Sequence, residues 1–191
     1  MKKIYKGTLF LVVGNSGSGK DSIIKGAFDK YPSNLKKLIT PKRYITRQPS
    51  ETEDNIMISP EKFKEMSSNG AFALEWYIYD LYYGIPIEID DHLRKGHPVV
   101  VNVSRTVVKK ARKIYHNIRV IFIKVPFEIT LNRIKERERE RNERLKERIE
   151  RARNNQTFSD ADFIVDNSGK LENAIDDFLN FLIKVLENKN K

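Results

Sequence analysis

The chain of 191 residues contains no cysteine. That absence excludes disulfides, thiolate nucleophiles and zinc–thiolate sites. Histidine is scarce, and His92, His97 and His116 have no metal-binding spacing,. Long apolar runs are also missing: no stretch approaches the roughly 20 residues that cross a bilayer. Met1-Lys2-Lys3-Ile4-Tyr5-Lys6 is not followed by the long apolar segment of a secretory signal,. The expectation is therefore a cytoplasmic protein with no membrane partner. Negative charge is in deficit as well, with 26 Asp and Glu against 36 Lys and Arg, a formal charge of +10. An excess of that size asks for anionic partners, either nucleic acid or small polyphosphorylated ligands. The aromatic residues form no recognisable base-stacking motif, so nucleic acid is not expected. With 39% hydrophobic residues, the length suits one domain with a full core.

What is present begins with Leu9-Phe10-Leu11-Val12-Val13, an apolar run that reads as a buried strand,. It leads directly into Gly14-Asn15-Ser16-Gly17-Ser18-Gly19-Lys20, then Asp21 and Ser22. A G-x-x-x-x-G-K loop between a strand and a helix cradles a polyphosphate. Its glycines let backbone N–H groups point inward, the lysine reaches the β- and γ-phosphates, and the helix presents its positive end. Residues 14–22 are thus the expected ATP-binding set, with Lys20 catalytic. The position usually held by a metal-binding Ser or Thr is Asp21. A carboxylate is also a hard oxygen ligand, so Asp21 is the expected Mg²⁺ residue. Its alternative role is to favour the start of the helix.

Further apolar runs at 99–103, 120–125 and 163–165 read as buried strands, separated by segments of helical periodicity. That alternation predicts an α/β fold with a parallel sheet. Ser59-Pro60-Glu61 opens a helix that Gly70 closes, and Pro86 and Gly96 bracket another,. Pro126 begins a helical tract from Phe127 to about Arg153. A final helix, Leu171 to Leu186, puts Ile175, Phe178, Leu179, Leu182 and Ile183 on one face against the sheet,. Two stretches interrupt the alternation. Residues 41–95 are aromatic-rich, and residues 133–151 are almost wholly charged. Arginine, the planar fork that grips phosphate, dominates the second stretch. It reads either as a solvated helix laced with i,i+4 pairs or as a phosphate-gripping lid.

Several motifs resemble the guanylate kinase superfamily in order and spacing. They are Arg43-Tyr44-Ile45-Thr46-Arg47, Phe72-Ala73-Leu74-Glu75-Trp76, Tyr82-Tyr83-Gly84 and Asp162-Phe163-Ile164-Val165-Asp166-Asn167. Within it the chain is similar to the ribose 1,5-bisphosphate phosphokinase family. The residues that carry this are Gly17 to Ser22 with Asp21 in place, Arg43 to Arg47, Tyr82 to Asp90, Val101-Asn102-Val103-Ser104-Arg105, and Arg137-Glu138-Arg139-Glu140. The resemblance implies a three-layer P-loop kinase sandwich around a central parallel sheet, one domain over residues 1–191. Its core would be 1–40, 96–132 and 152–191, with an acceptor-binding insert at 41–95 and a helical lid at 133–151.

The implied reaction moves the γ-phosphoryl of ATP, with Mg²⁺, onto ribose 1,5-bisphosphate. The products are ADP and 5-phosphoribosyl 1-diphosphate, a step of phosphonate metabolism. The resemblance assigns acceptor binding to Arg43, Arg47, Glu75, Tyr83, Asn102 and Arg105. It assigns Arg137, Arg139 and Arg148 to catalysis from the lid, with Arg133 beside them, and gives Asn102 a water-mediated part in holding Mg²⁺. Guanine-reading positions depart from the superfamily pattern. Arg43 and Ile85 replace hydroxyl residues, Ser104 replaces an aspartate, and Asn55-Ile56 stands where a phosphate-binding tyrosine is expected. Only Glu75 is kept, for ribose hydroxyls or as a residual purine contact. A guanylate or other nucleoside-monophosphate kinase, and a non-catalytic binding module, remain the alternatives. The retained Gly19-Lys20 argues against the second.

Overall fold

The computed structural model describes residues 1–48, 54–136 and 143–188. Its strands are β1 (Leu9–Gly14), β2 (Arg43–Ile45), β3 (Asn55–Met57), β4 (Phe72–Ile78), β5 (Leu81–Pro86), β6 (Val99–Asn102), β7 (Ile118–Lys124) and β8 (Phe163–Asp166). Its helices are α1 (Lys20–Asp29), α2 (Pro60–Ser68), α3 (Ile89–Arg94), α4 (Arg105–Ile114), α5 (Phe127–Glu136), α6 (Glu143–Asn154) and α7 (Leu171–Glu187). The four strands expected from apolar runs, β1, β6, β7 and β8, form one sheet in the order β6-β1-β7-β8. β7 and β8 are parallel, from Ile121 opposite Phe163 to Lys124 opposite Asp166. Leu9 to Val13 are fully buried, as befits a strand covered on both faces of an α/β sheet. The chain has the α/β fold with a central parallel sheet.

The chain divides into two compact units, Met1–Leu11 with Pro32–Arg119, and Val12–Tyr31 with Val120–Lys191. In the first, the aromatic-rich insert is a second sheet, ordered β3-β2-β5-β4. β4 and β5 form a hairpin from Phe72 opposite Pro86 to Ile78 opposite Leu81. Its turn is Tyr79-Asp80, both at positive φ (55° and 57°), as a two-residue hairpin turn that follows the strand twist requires. α2 starts where the sequence places it: Ser59 caps it by accepting from Lys62 N at 3.1 Å. Its Phe63 stacks on Phe72 and Tyr82, with ring centroids 4.5 and 5.2 Å away. Burial of that aromatic cluster seats the helix on the sheet.

The same unit anchors the N-terminal segment. Asp90 is 3% exposed, bound by Lys3 Nζ at 2.5 Å and by the Tyr115 hydroxyl at 2.7 Å. Burial, then the Asp90 hydrogen bond, pushes the Tyr115 phenol above its ordinary range. Asp90 is therefore committed to structure, because a buried carboxylate is stable only when its partners are in place.

In the second unit, α7 buries Ala174, Ile175, Phe178, Leu179 and Leu182 and packs against α1 as well as β8. α5 and α6 lie within the expected helical tract. Residues 137–142, including Arg137 and Arg139, lie outside the described residues. Among the described residues, no helix is long and apolar enough to cross a membrane.

Candidate active site

The glycine loop joins β1 to α1, and its geometry follows from its glycines. Gly17 and Gly19 have φ of +80° and +85°, a region that L side chains rarely adopt. A Cβ on Gly19 would meet Asn167 Nδ2 at 2.4 Å, and one on Gly14 would meet Ser18 Oγ at 2.7 Å. Gly19 is also the N-cap of α1, which has no side-chain cap. The first N–H groups of that helix are thus presented to the loop rather than to a side chain.

Lys20 folds back over the loop. Its Nζ donates to Gly14 O at 3.0 Å, Asn15 O at 2.8 Å and Ser18 Oγ at 3.3 Å. Asp21 is half-buried in the first turn of α1, where the helix dipole favours a carboxylate,. Ser16 is half-buried and Ser22 exposed. The loop is braced from behind by Asn167, the residue after β8. Asn167 is 2% exposed, donates to Ser18 O at 2.8 Å, and through its own N–H binds Lys124 O at 2.9 Å. Arg133 of α5 reaches the same place, donating to Gly17 O at 3.5 Å and Asn167 O at 3.4 Å. Asn15 donates to Ala152 O and Asn155 O at the end of α6. The expected Arg148 lies on α6 and is half-buried.

These residues fit a polyphosphate with a divalent cation. The cradle is one that Cβ atoms would fill, it holds an ammonium and a helix N-terminus without a side-chain cap, and a hard oxygen donor stands in the first turn. Among the described residues, no group of three His, Cys, Asp or Glu forms a metal cage. Mg²⁺ at a phosphate site asks for one or two carboxylates only, with phosphate oxygens completing its shell.

The acceptor candidates lie in the other unit, and the structure groups them differently from the sequence motifs. Arg43 on β2 donates through Nε to Asn55 Oδ1 at 3.1 Å and through an η-nitrogen to Asn102 O at 3.3 Å. Parallel pairing places Arg43 opposite Asn55. Asn55, which in sequence only marks a missing tyrosine, thus orients the guanidinium. Arg47 donates to Gln48 O at 2.9 Å.

Ser104, which in sequence only marks a missing aspartate, caps α4 through Thr106 N. Arg105 follows as the first residue of that helix. A cation there opposes the helix dipole, so α4 itself gives no reason for it.

Glu75 and Tyr83 are separated. The β4–β5 register sets Trp76 opposite Tyr83 and Glu75 opposite Gly84, and successive strand residues face opposite sides. The Tyr83 ring lies 5.2 Å from Trp76, nearly parallel. Glu75 turns toward α2, where it accepts from Ser67 Oγ at 2.7 Å. There it lines a cavity of about 360 Å³ with Lys64, Tyr77, Tyr82 and Lys110.

Sequence reasoning missed two contributors. Asn167 appears in sequence only as the end of a motif, and the Asn15 side chain only as a loop position. The run at 163–165, expected as a buried strand, buries only Val165, with Ile164 exposed; a polar residue directly after that strand was the available signal for Asn167.

The guanylate kinase family model matches residues 6–187. The chain is 35% identical over 188 residues to ribose 1,5-bisphosphate phosphokinase PhnN of Bradyrhizobium diazoefficiens, covering 96% of this chain and 90% of the relative. It is 38% identical over 151 residues to the protein of the same name from Rhodopseudomonas palustris, covering 79% of this chain and 77% of that one. Among solved structures, guanylate kinase from Anaplasma phagocytophilum matches with a TM-score of 0.67 at 18% identity, over 96% of this chain and 88% of that one. That likeness speaks for the fold, as the relatives speak for the branch. The chain belongs to the guanylate kinase family, on the branch of the ribose 1,5-bisphosphate phosphokinases.

Proposed function

We propose that this chain transfers the γ-phosphoryl group of ATP to the 1-phosphate of ribose 1,5-bisphosphate, releasing ADP and 5-phosphoribosyl 1-diphosphate. The observation that carries the reading is the 35% identity over 188 residues to a phosphokinase of that name, in a chain with an intact glycine–lysine loop. One P–O–P bond of ATP breaks as one forms on the acceptor phosphate. That acceptor oxygen is already ionised at neutral pH, so no side chain has to remove a proton. Holding two anions in line and neutralising charge is the whole task.

In this reading the backbone from Gly14 to Gly19 binds the donor phosphates and Lys20 follows the charge that builds between them. Asp21 would hold Mg²⁺, which when bound screens the donor phosphates. Arg43, oriented by Asn55, with Arg47, Asn102 and Tyr83, binds the acceptor. Arg105 adds positive charge at a helix end that does not need it. Glu75 is proposed for a ribose hydroxyl on the sequence resemblance alone, since its carboxylate accepts from Ser67 on the α2 side of the hairpin, away from Tyr83. Arg148 contributes from α6, and Arg137 and Arg139, outside the described residues, are proposed with it on sequence alone.

The test is ADP release with ATP·Mg²⁺ and a panel of ribose 1,5-bisphosphate, GMP, AMP, dTMP and UMP. Loss of several hydrogen-bonding partners for guanine predicts a kcat/KM at least about a hundredfold higher for ribose 1,5-bisphosphate than for GMP. Comparable turnover of GMP would make this a guanylate kinase.

The Asp21 carboxylate has a separate test. Asp21→Ala is expected to raise the Mg²⁺ concentration for half-maximal rate, and Asp21→Ser to recover part of the loss. A Mg²⁺ midpoint common to all three proteins would leave Asp21 only its favourable place at the helix N-terminus.

A further inference from the structure

The last turn of an α-helix leaves carbonyls without intrahelical partners, and a helix end keeps its place only if something binds them. At the end of α6 the binding groups are side-chain amides. Asn155 Nδ2 donates to Arg151 O at 2.7 Å, and Gln156 Nε2 to Ala152 O. The third amide comes from the phosphate loop: Asn15 Nδ2 donates to Ala152 O at 3.1 Å and Asn155 O at 3.0 Å. Both hydrogens of the Asn15 amide are committed to α6. The carbonyl of the same residue accepts from Lys20 Nζ at 2.8 Å. One residue therefore receives the loop lysine on its main chain and holds a helix end on its side chain. Ala152 is 2% exposed and both Asn15 bonds are part-buried, so this is not a chance surface encounter. About one helical turn before Ala152, on the same face of α6, stands Arg148,.

We propose that Asn15 is a positioning residue for α6, fixing the helix that carries Arg148 to the loop that receives the donor phosphates. A lysine donating to neutral carbonyls gains by exchanging them for an anionic phosphate oxygen. When nucleotide binds, Lys20 leaves the Asn15 carbonyl, and the Asn15 amide carries the change to α6. The loop backbone alone would bind phosphate equally well with any small residue at 15, so the donor amide is what matters. Asn15→Asp keeps the shape but offers no donor, and sets a negative charge against two carbonyls at the negative end of a helix.

This rests on the loop being the ATP site, and the experiment separates the two ideas. Hydrogen exchange of the α6 amides, measured first without nucleotide, tests Asn15 alone. Asn15→Ala is expected to speed exchange in the last turn of α6 at least about tenfold, and Asn15→Asp more, with α7 unchanged. Unchanged α6 exchange in both variants would overturn the proposal whatever the loop binds. Calorimetric titration of wild type with ADP·Mg²⁺ tests the loop: no binding would remove the donor reading while leaving the exchange result to stand for Asn15.

Kinetics then tests the link to Arg148. Asn15→Ala is expected to lower kcat about tenfold with KM for ATP within about twofold, and to add less than about twofold in an Arg148→Ala background. Fully additive losses would overturn the route through Arg148.

Discussion

Replacement of Lys20 by alanine is expected to lower kcat by about two orders of magnitude or more while leaving the circular dichroism spectrum unchanged. The ammonium is the one side-chain cation built into the loop, and it now rests on Gly14 O, Asn15 O and Ser18 Oγ. Those acceptors are neutral, whereas during transfer negative charge builds on the oxygen that leaves with ADP and spreads over the equatorial oxygens of the moving group. The bonds to the loop are charge-assisted through the donor alone, and the ammonium acts most strongly where charge develops, so the benefit falls mainly on the transition state. The loss should therefore appear in kcat more than in the KM for ATP. Gly14 and Asn15, two of the three acceptor residues, are half-buried, and Ser18 is buried with an acceptor whose own hydroxyl proton can turn to another partner. Steady-state rates at saturating ATP and acceptor, with thermal melts of both proteins, are the measurement. Near-normal turnover by Lys20→Ala would remove the loop from the chemistry.

Gly19→Ala should abolish most nucleotide binding by another route. At φ +85° an alanine bears about 1–2 kcal/mol of backbone strain. Its Cβ would also sit 2.4 Å from Asn167 Nδ2, and Asn167 cannot yield cheaply. That amide is buried and donates to Ser18 O at 2.8 Å, so moving it leaves a loop carbonyl without its partner. A buried group stripped of its hydrogen bond costs about 1–3 kcal/mol. The two effects together predict a loss of about a hundredfold in ADP affinity, read by calorimetry. Affinity within about threefold of wild type would mean that the left-handed turn at Gly19 does not shape the phosphate site.

The contrast between these two side chains, Lys20 and Asn167, marks how far the sequence could be read. Lys20 was legible because its chemistry is local: a buried strand, glycines at fixed offsets and a helix start all fall within one short segment. The four strands of the central sheet and the start of α2 were legible for the same reason. Each depends on an apolar run or a cap that acts within a few residues. The acceptor region was legible as motifs but not as geometry. Nothing along the chain says that Asn55 holds Arg43, or that the β4–β5 register turns Glu75 toward Ser67 and Tyr83 away from it.

By itself, then, the sequence determined the phosphate loop, the α/β alternation and the family, all of which are written in neighbouring residues. Only the tertiary structure decided that Asn167 braces Ser18 from 149 positions away and that Asn15 holds Ala152 from 137 positions away. It also committed the buried Asp90 to Lys3 and Tyr115. Buried amides and carboxylates are mostly hydrogen-bonded, but composition does not name their partners. Which partners they meet follows from which strands lie side by side, and strand order is a property of the folded chain.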